Sequence, residues 1–455
     1  MKSTYALPAS AVTGLQWPAL PHAAAQTMLA TQFQLERSQY WPAELIAERQ
    51  LGQLRSLVAF SLQQVPHYRH LIAQQLPELM RDPYALTREQ FARWPLLSKG
   101  QIRDSGAALV AASLPQDHGG SVWQFSSGTT GAPVRSACSM VGQFFRSAAA
   151  MRNLYWHEFD FSRVYAEIRP SIGAGRHPGW GAAPNVAYET GPMVALPVTT
   201  AIDTQLDWLL AEAPGYLHST ASNIRELILR GRQTGRRVTG LDAVISFAET
   251  LPDGLRELVR EEWGARLIDV YSSTEAGLMA LQCPRHEHYH VQSEFVVLEV
   301  LRENGSACTP GETGRVVVTD LTNFAMPIIR FDIGDYAEAG SPCDCGRHLP
   351  VISRIRGRAR NMAVDPTGRR FWPNVPERAW WEIAPMRQVQ MVQHAPHHIE
   401  LRYVLERELT GDEKARYTEA MREKWSYPYD FTYSRVERIE HTPGQKREEF
   451  IRLCD

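Results

Sequence analysis

Ala243-Val-Ile-Ser-Phe247, an amphipathic stretch over 252–263, and then Leu267-Ile-Asp-Val-Tyr271-Ser-Ser-Thr-Glu275 form the segment on which the fold reading turns. Two short apolar runs flank a helical pattern, which predicts strand–helix–strand, the unit of a parallel sheet covered by helices. The alternation extends upstream, with strands predicted at Val164–Ile168, Val194–Val198 and Tyr216–His218 and helices at about 203–212 and 222–232. In open sheets of this kind ligands sit beyond the carboxyl ends of the strands. The polar residues expected there are His218-Ser219, Glu249-Thr250 and Tyr271 to Glu275. Three successive strand ends thus offer aromatic, hydroxyl and carboxylate groups to one crevice wall.

Upstream lies Phe125-Ser-Ser-Gly-Thr-Thr-Gly-Ala-Pro133, directly after the strand-like Val122-Trp-Gln-Phe125. Glycines let backbone N–H groups approach an anion, and Ser/Thr hydroxyls add donors that rotate toward phosphate oxygens. The loop reads as a phosphate cradle; an ordinary Ser/Thr/Gly turn is the competing reading. It is not a Walker A loop, because no Gly-Lys-Ser/Thr closes it and Pro133 stands where a helix would have to be running.

The 455-residue chain is 44% hydrophobic and 22% charged, enough apolar content for a sizeable core spread over two or three domains. A net charge of -2 gives no general attraction to nucleic acid or anionic membrane. No apolar run approaches the roughly 18 residues of a spanning helix, and the N-terminus lacks a signal pattern, so a cytoplasmic protein is expected. Residues 1 to about 40 read as an irregular lead-in. From Pro42, Leu51, Leu54, Val58 and Leu62 recur at helical steps until Val65-Pro66. Thr87-x-x-Gln90 and Ser98-x-x-Gln101 read as capping boxes. A helix is predicted from Ser139, with Phe144, Phe145, Ala148, Met151 and Tyr155 on its buried side. Residues 291–335 read as β-rich, with a turn at Asn304-Gly305, strands at Phe295–Leu301, Arg315–Thr319 and 327–335, and Asp335 at a strand end. Ile355-Arg-Gly-Arg-Ala-Arg360 reads as a basic connector to a small α+β domain. Its predicted elements are Val389–Val392, His398–Val404, a helix over 412–424 and Tyr433–Ile439.

Taken in order, these segments resemble the adenylate-forming superfamily of acyl-CoA synthetases, luciferases and peptide-synthetase adenylation domains. Gly311-Glu-Thr-Gly314, Arg330-Phe-Asp-Ile-Gly-Asp335 and Gly357-Arg358 complete the set. Val65-Pro-His-Tyr-Arg69, Pro95-Leu-Leu-Ser-Lys99 and the Cys283 to Val291 and Cys343 to Arg347 segments resemble its phenylacetate–CoA ligase branch. The resemblance implies an α/β fold: an N-terminal domain over 1–356 with parallel sheets and a β-rich part, a hinge at 357–361 turning on Arg360, and a mobile lid over 362–455. It implies ATP-dependent activation of a carboxylic acid to an acyl-adenylate with loss of pyrophosphate, then acyl transfer to coenzyme A. Amines, other nitrogen nucleophiles and carrier proteins are alternative acceptors, and an inactive nucleotide-binding partner of a biosynthetic complex is a reading from another class.

By the same resemblance Ser126, Ser127, Gly128, Thr129, Thr130 and Gly131 hold the ATP phosphates, and Thr130 with Glu275 holds Mg²⁺. Tyr271 stacks on adenine, within a binding strand continued by Ser272, Ser273 and Thr274, while Ala248, Glu249 and Thr250 border it. Asp335 takes the ribose hydroxyls, helped by Arg358, and Lys446 in the tail reaches the α-phosphate and the carboxylate. The acid is expected to be aromatic or arylacetic, held by Tyr155, Tyr216, His218 and Phe247 under a glycine-rich loop at 171–181. A homodimer is compatible with this reading. Three thiols (Cys283, Cys343, Cys345) and one of His286, His288 and His290 could complete a tetrahedral zinc site, against the plainer reading of free thiols and surface histidines. The resemblance implies a structural Zn²⁺ and favours His290 as the fourth ligand.

Overall fold

A computed structural model describes residues 6–125, 135–170, 172–373, 381–439 and 449–454. The chain divides into two compact units. The first comprises Met1–Ser162, Gly179–Gly191 and Val270–Ile355; the second comprises Arg163–Pro178, Pro192–Asp269 and Arg356–Asp455.

In the second unit, strands β3 (Tyr165–Arg169), β5 (Met193–Pro197), β6 (Tyr216–Ser219), β7 (Ala243–Ser246) and the first half of β8 (Arg266–Ser273) run parallel. Their order is β8-β7-β6-β3-β5, and the short antiparallel β4 (Gly175–His177) closes the edge. Helices Ile202–Glu212, Ala221–Thr234 and Leu255–Trp263 bury one face, where Ala166, Ile168, Val194, Leu217 and Val244 meet Leu206, Ile224, Leu227 and Val259. The predicted strand–helix alternation is the observed one, with no end moved by more than three residues. Part of the glycine-rich stretch read as a loop over the substrate is instead β4, because Gly175-Arg-His177 pairs with Ala195-Val-Met193.

The last part of the same unit has its own core. The short β15 (Ala363–Val364) and β16 (Arg370–Phe371) pair with each other, and strands β17 (Gln388–Ala395), β18 (His398–Val404), β19 (Asp430–Arg435) and β20 (Phe450–Arg452) take the order β19-β18-β17-β20. Helix Gly411–Trp425 packs Tyr417, Met421 and Trp425 against Met391, Leu401 and Tyr403. Its N-terminus is closed by a capping box, with Thr410 Oγ1 accepting from Glu413 N and Glu413 returning the bond to Thr410 N. The strand read at Tyr433–Ile439 is centred earlier, at Asp430–Arg435, where it pairs in parallel with β18 from His398 to Tyr403.

In the first unit the second half of β8 pairs antiparallel with β9 (Gly277–Gln282), and β10 (Tyr289–Val291), β14 (Val351–Arg358), β13 (Phe331–Ala339), β12 (Thr313–Asp320) and β11 (Val296–Leu301) follow in that order. A hairpin of β1 (Ser121–Phe125) and β2 (Arg135–Ser139) leads into helix Met140–Trp156. The capping boxes at Thr87 and Ser98 are both formed. Helix Met140–Trp156 starts as predicted, capped by Ser139 Oγ accepting from Gly142 N at 3.1 Å. Its buried face differs: Ala148, Ala149, Met151, Arg152, Asn153 and Trp156 are inside, while Phe144, Phe145 and Tyr155 are half-buried.

The N-terminal lead-in is not irregular throughout. Ala23–Ser38 is a helix capped by His22, burying Ala25, Met28, Gln32 and Leu35. Alanine is a strong helix former but contributes little hydrophobic contrast, so this three- and four-residue period is faint in the sequence. Residues 327–330 also depart from strand. Arg330 has a left-handed φ of 48°, and β13 begins only after it.

Candidate active site

The residues expected to cradle phosphate, Ser126 to Gly131 with Ala132 and Pro133 after them, and Lys446 lie outside the described residues. The frame of the loop is described. Phe125 pairs with Arg135, so the nine intervening positions 126–134 join the two strands of one hairpin. Behind it, Gly142 stands where an added Cβ would lie 2.8 Å from Cys138 Sγ, a distance that leaves no room for a side chain.

Arg146, on the helix after the hairpin, is a residue that sequence reasoning passed over. Its Nη1 donates to Gln124 Oε1 at 2.5 Å and to the Thr274 carbonyl at 3.1 Å, and its Nη2 donates to the Glu275 carbonyl at 2.8 Å. A planar guanidinium with several fixed donors suits such a joint, which ties strand β1 to the Tyr271–Glu275 segment. Gly277 (φ 68°) makes room for it; a Cβ there would come within 2.9 Å of Arg146 Cγ. Only the general spacing of an arginine on that helix could have signalled this role. The Glu275 residue is 7% exposed, so its carboxylate is held close to the protein interior.

Asp335 does not sit at a strand end. It lies within β13 at an irregularity where Ile333, Gly334 and Asp335 intervene between the Tyr336–Arg315 and Asp332–Val317 pairs. Gly334 takes a φ of 79°, the left-handed conformation that glycine adopts most easily. Tyr271 Oη donates to Asp335 Oδ2 at 3.0 Å, with the tyrosine 6% exposed. Two residues that the sequence assigned to one site are thereby brought together, although they are 64 positions apart.

In the second unit Ala248 has a φ of 68°, costly for a residue with a Cβ. The turn directs Glu249 to the start of helix Ala221–Thr234, where its Oε2 accepts from Ser222 N at 2.8 Å and its Oε1 from Ser222 Oγ at 3.0 Å. A carboxylate is favourable against the partial positive charge of a helix start. Gly357 (φ 103°) packs on the next residue; a Cβ would lie 2.9 Å from Thr250 Oγ1. Gly357 and Arg358 end strand β14 instead of lying in a free connector, and the turn Ala359–Asn361 follows. The Arg358 carbonyl accepts from Trp372 Nε1 at 3.3 Å, and Arg360 Nε donates to Asn361 Oδ1 at 3.3 Å.

Of the acyl-pocket candidates, Tyr216, His218 and Phe247 gather in the second unit. The His218 ring lies 4.4 Å from that of Phe247, and the Tyr165 ring stands 6.4 Å from Tyr216 and 6.2 Å from His218. Tyr155, in the first unit, shares a 2.6 Å hydrogen bond with the Tyr188 hydroxyl and packs its ring 6.4 Å from Phe161.

The cysteine–histidine residues also converge. Cys283 Sγ is 3.9 Å from Cys343 Sγ, and Cys345 Sγ is 3.3 Å from His290 Nε2. Metal–ligand lengths of about 2.3 Å for sulfur and 2.0–2.1 Å for nitrogen on a tetrahedron give S···S of about 3.8 Å and S···N of about 3.5 Å. The observed separations fit. Ligand atoms of Cys283, His288, His290 and Cys343 all lie within 4.8 Å of one another, a group that has His288 where Cys345 was expected. His288 Nε2 is buried without a hydrogen bond among the described residues, as a metal-facing nitrogen would be. His290 is fully buried and its Nδ1 faces the Leu349 carbonyl at 3.4 Å, an arrangement that fixes the tautomer with Nε2 free to ligate. Burial pushes its ring pKa down to about 4, so the imidazole is neutral.

No family model matches the chain. Among proteins of known role it is 25% identical over 339 residues to a phenylacetate–coenzyme A ligase of Thermus thermophilus, covering 71% of this chain and 72% of that one. It is 23% identical over 336 residues to the enzyme of the same name from Pseudomonas putida, covering 70% and 72%. Among solved structures, 2-hydroxyisobutyryl-CoA ligase in its postadenylation state superposes with a TM-score of 0.73 at 18% identity, over 92% of this chain and 91% of that one. The architecture is that of the adenylate-forming acyl–coenzyme A ligases. The relatives it resembles in sequence are phenylacetate–coenzyme A ligases. Among the described residues no helix is long and apolar enough to cross a membrane.

Proposed function

We propose that this protein is an AMP-forming carboxylate ligase that activates an aromatic or arylacetic acid and transfers the acyl group to coenzyme A. The observation that carries the reading is the meeting of Tyr271 with Asp335, in the unit where Arg146 holds the Thr274 and Glu275 carbonyls. Segments remote in sequence thus converge as a nucleotide site requires, and the relatives in sequence are ligases of this chemistry. The acid's carboxylate attacks the α-phosphorus of ATP, pyrophosphate leaves, and the resulting mixed anhydride is attacked by the thiol of coenzyme A. The protein's task is to position these groups and offset charge developing on phosphorus.

In this reading Ser126 to Gly131 cradle the phosphates, Thr130 and Glu275 hold Mg²⁺, Tyr271 and Ser272 to Thr274 line the adenine, Ala248 to Thr250 border it, and Asp335 with Arg358 holds the ribose. Residues 362–455, with a core of their own, act as a lid turning about 357–361 and bring Lys446 to the reacting oxygens. The Cys283, Cys343, Cys345 and His290 group, with His288 adjacent, holds a structural zinc. Cytoplasmic location follows from the supply of ATP and coenzyme A there. The test is acid-dependent exchange of labelled pyrophosphate into ATP across aryl, arylacetic and alkyl acids, repeated with and without coenzyme A. Exchange with an aryl or arylacetic acid and thioester formation are expected; no exchange with any acid refutes the proposal. Lys446→Ala is expected to lower exchange by about 100-fold or more while ATP still binds, since it removes charge stabilisation at the reacting phosphorus. Unchanged exchange would remove Lys446 from the mechanism.

A further inference from the structure

The sheet of the second unit has one apolar face, buried under helices, and one on which polar residues stand among apolar ones such as Ala195 and Ile245. Residues alternate along a strand, so Ala166, Ile168 and Leu217 belong to the helix-covered face and Tyr165, Glu167, Tyr216 and His218 to the other. Parallel strands enclosed on both sides normally carry apolar residues on both. Here Glu167, in the middle of β3, is only 9% exposed, and it stands directly opposite His218 in the register. Burying a carboxylate is costly even when it is paired, so its presence at a central strand position calls for a role.

The geometry leaves part of that carboxylate uncommitted. Glu167 Oε1 faces His218 Nδ1 at 3.4 Å. Oε2 has the Arg169 guanidinium Nε at 3.1 Å but accepts no hydrogen bond among the described residues and is itself buried. The histidine packs in turn on the Phe247 ring, and the Tyr165 ring lies beside both it and Tyr216. Burial tends to raise the Glu167 carboxyl, but the hydrogen bond and charge of His218, then Arg169 and His177, hold it below its ordinary value, so it stays an acceptor. With the Arg169 guanidinium already beside it, the charge is compensated. A further cation would gain little there; a neutral donor would gain a hydrogen bond to a charged acceptor.

We propose that Glu167, held in place by His218, is a specificity-determining residue that accepts a hydrogen bond from a neutral O–H or N–H substituent on the acyl part of the substrate. The favoured acids then carry a hydroxyl or an arylamine, and the aromatic walls take the ring that bears it. This rests on the ligase reading above. Sites built to hydrogen-bond a substrate hydroxyl or amine reject analogues lacking it far more strongly than apolar pockets reject a change of size.

The test uses the full-length protein and pyrophosphate exchange with matched aryl acids bearing hydroxyl, amino or methyl at each ring position. At one position the hydroxyl or amino acid is expected to exceed its methyl counterpart in kcat/KM by about 100-fold or more. In Glu167→Gln and Glu167→Leu that ratio should fall at least about tenfold, as for loss of a charged acceptor, with a cooperative thermal transition showing each variant folded. Equal exchange of methyl and donor-bearing acids at every position overturns the proposal and leaves the ligase reading standing. So does a ratio unchanged in Glu167→Gln. No exchange with any acid overturns both.

Discussion

Arg152→Met should loosen the first unit at the helix that follows the β1–β2 hairpin. Arg152 is 2% exposed and donates four hydrogen bonds: to Glu294 Oε1 at 2.8 Å and Oε2 at 3.0 Å, to Gln292 Oε1 at 2.8 Å and to the Leu35 carbonyl at 2.8 Å. Glu294 also accepts from Ser38 Oγ at 2.5 Å, so the network binds helices Ala23–Ser38 and Met140–Trp156 to the segment before β11. Burial would raise the Glu294 carboxyl, and the charge and hydrogen bonds of Arg152 overcome that and lower it. Removing one partner of a buried pair costs about 3–5 kcal/mol, because the other charge is left uncompensated. The Glu294 side chain is 19% exposed, so water screens part of that charge, and about 3 kcal/mol is the expected loss. At roughly 2–4 °C per kcal/mol in a domain of 150–250 residues, the transition of this unit should fall by roughly 6–12 °C. Urea unfolding of the wild type, each single variant and Arg152→Met with Glu294→Met gives the coupling. The double variant should recover most of the loss, since two apolar groups replace the pair. A single-variant loss below about 1 kcal/mol, or a double variant that is merely additive, would refute the account of this network.

Two further outcomes are expected. Metal analysis of the purified protein should find about one zinc per chain, and Cys343→Ser should lower it several-fold, because a structural site needs all four ligands; far less than one zinc in the wild type removes the site. Acid should weaken the C-terminal part. The Arg407 guanidinium holds Glu413 at about 2, and Glu400, which burial would raise, is held at about 2 by hydrogen bonds from Ser434, His394 and Arg402. Both folded values lie below the ordinary 4.5, so their stabilisation is complete above that pH and is lost as pH falls through about 2. Hydrogen exchange of β18 and helix Gly411–Trp425 should therefore be unchanged between pH 7 and 5, after correction for intrinsic rates, and lose protection between 4.5 and 2. Unaltered protection at pH 2.5 would contradict this.

What could be read from the residues was what local chemistry dictates. The parallel strands from Tyr165 to Asp269 announced themselves through short apolar runs between amphipathic helices, and the caps at Thr87 and Ser98 through side chains that reach only three residues. The Cys283 and Cys343 segments were legible because few roles suit thiols and imidazoles gathered in that way. The residues that escaped are those whose meaning lies in partners far along the chain. Arg146 reads as one polar residue on a helix until the Thr274 and Glu275 carbonyls, nearly 130 positions away, are seen on its guanidinium. Arg152 lies on the face of its helix that periodicity would assign to apolar residues, and only Glu294, 142 positions on, makes its burial intelligible. Glu167 interrupts a strand in the same manner, answered by His218. Asp335 was identified by its motif, yet its direction depends on a bulge that exists only because β12 pairs with β13 in that register. Buried charges are tolerable only when paired, so each one in an otherwise apolar pattern is a sequence-visible sign of a distant partner, even where the partner itself cannot be named.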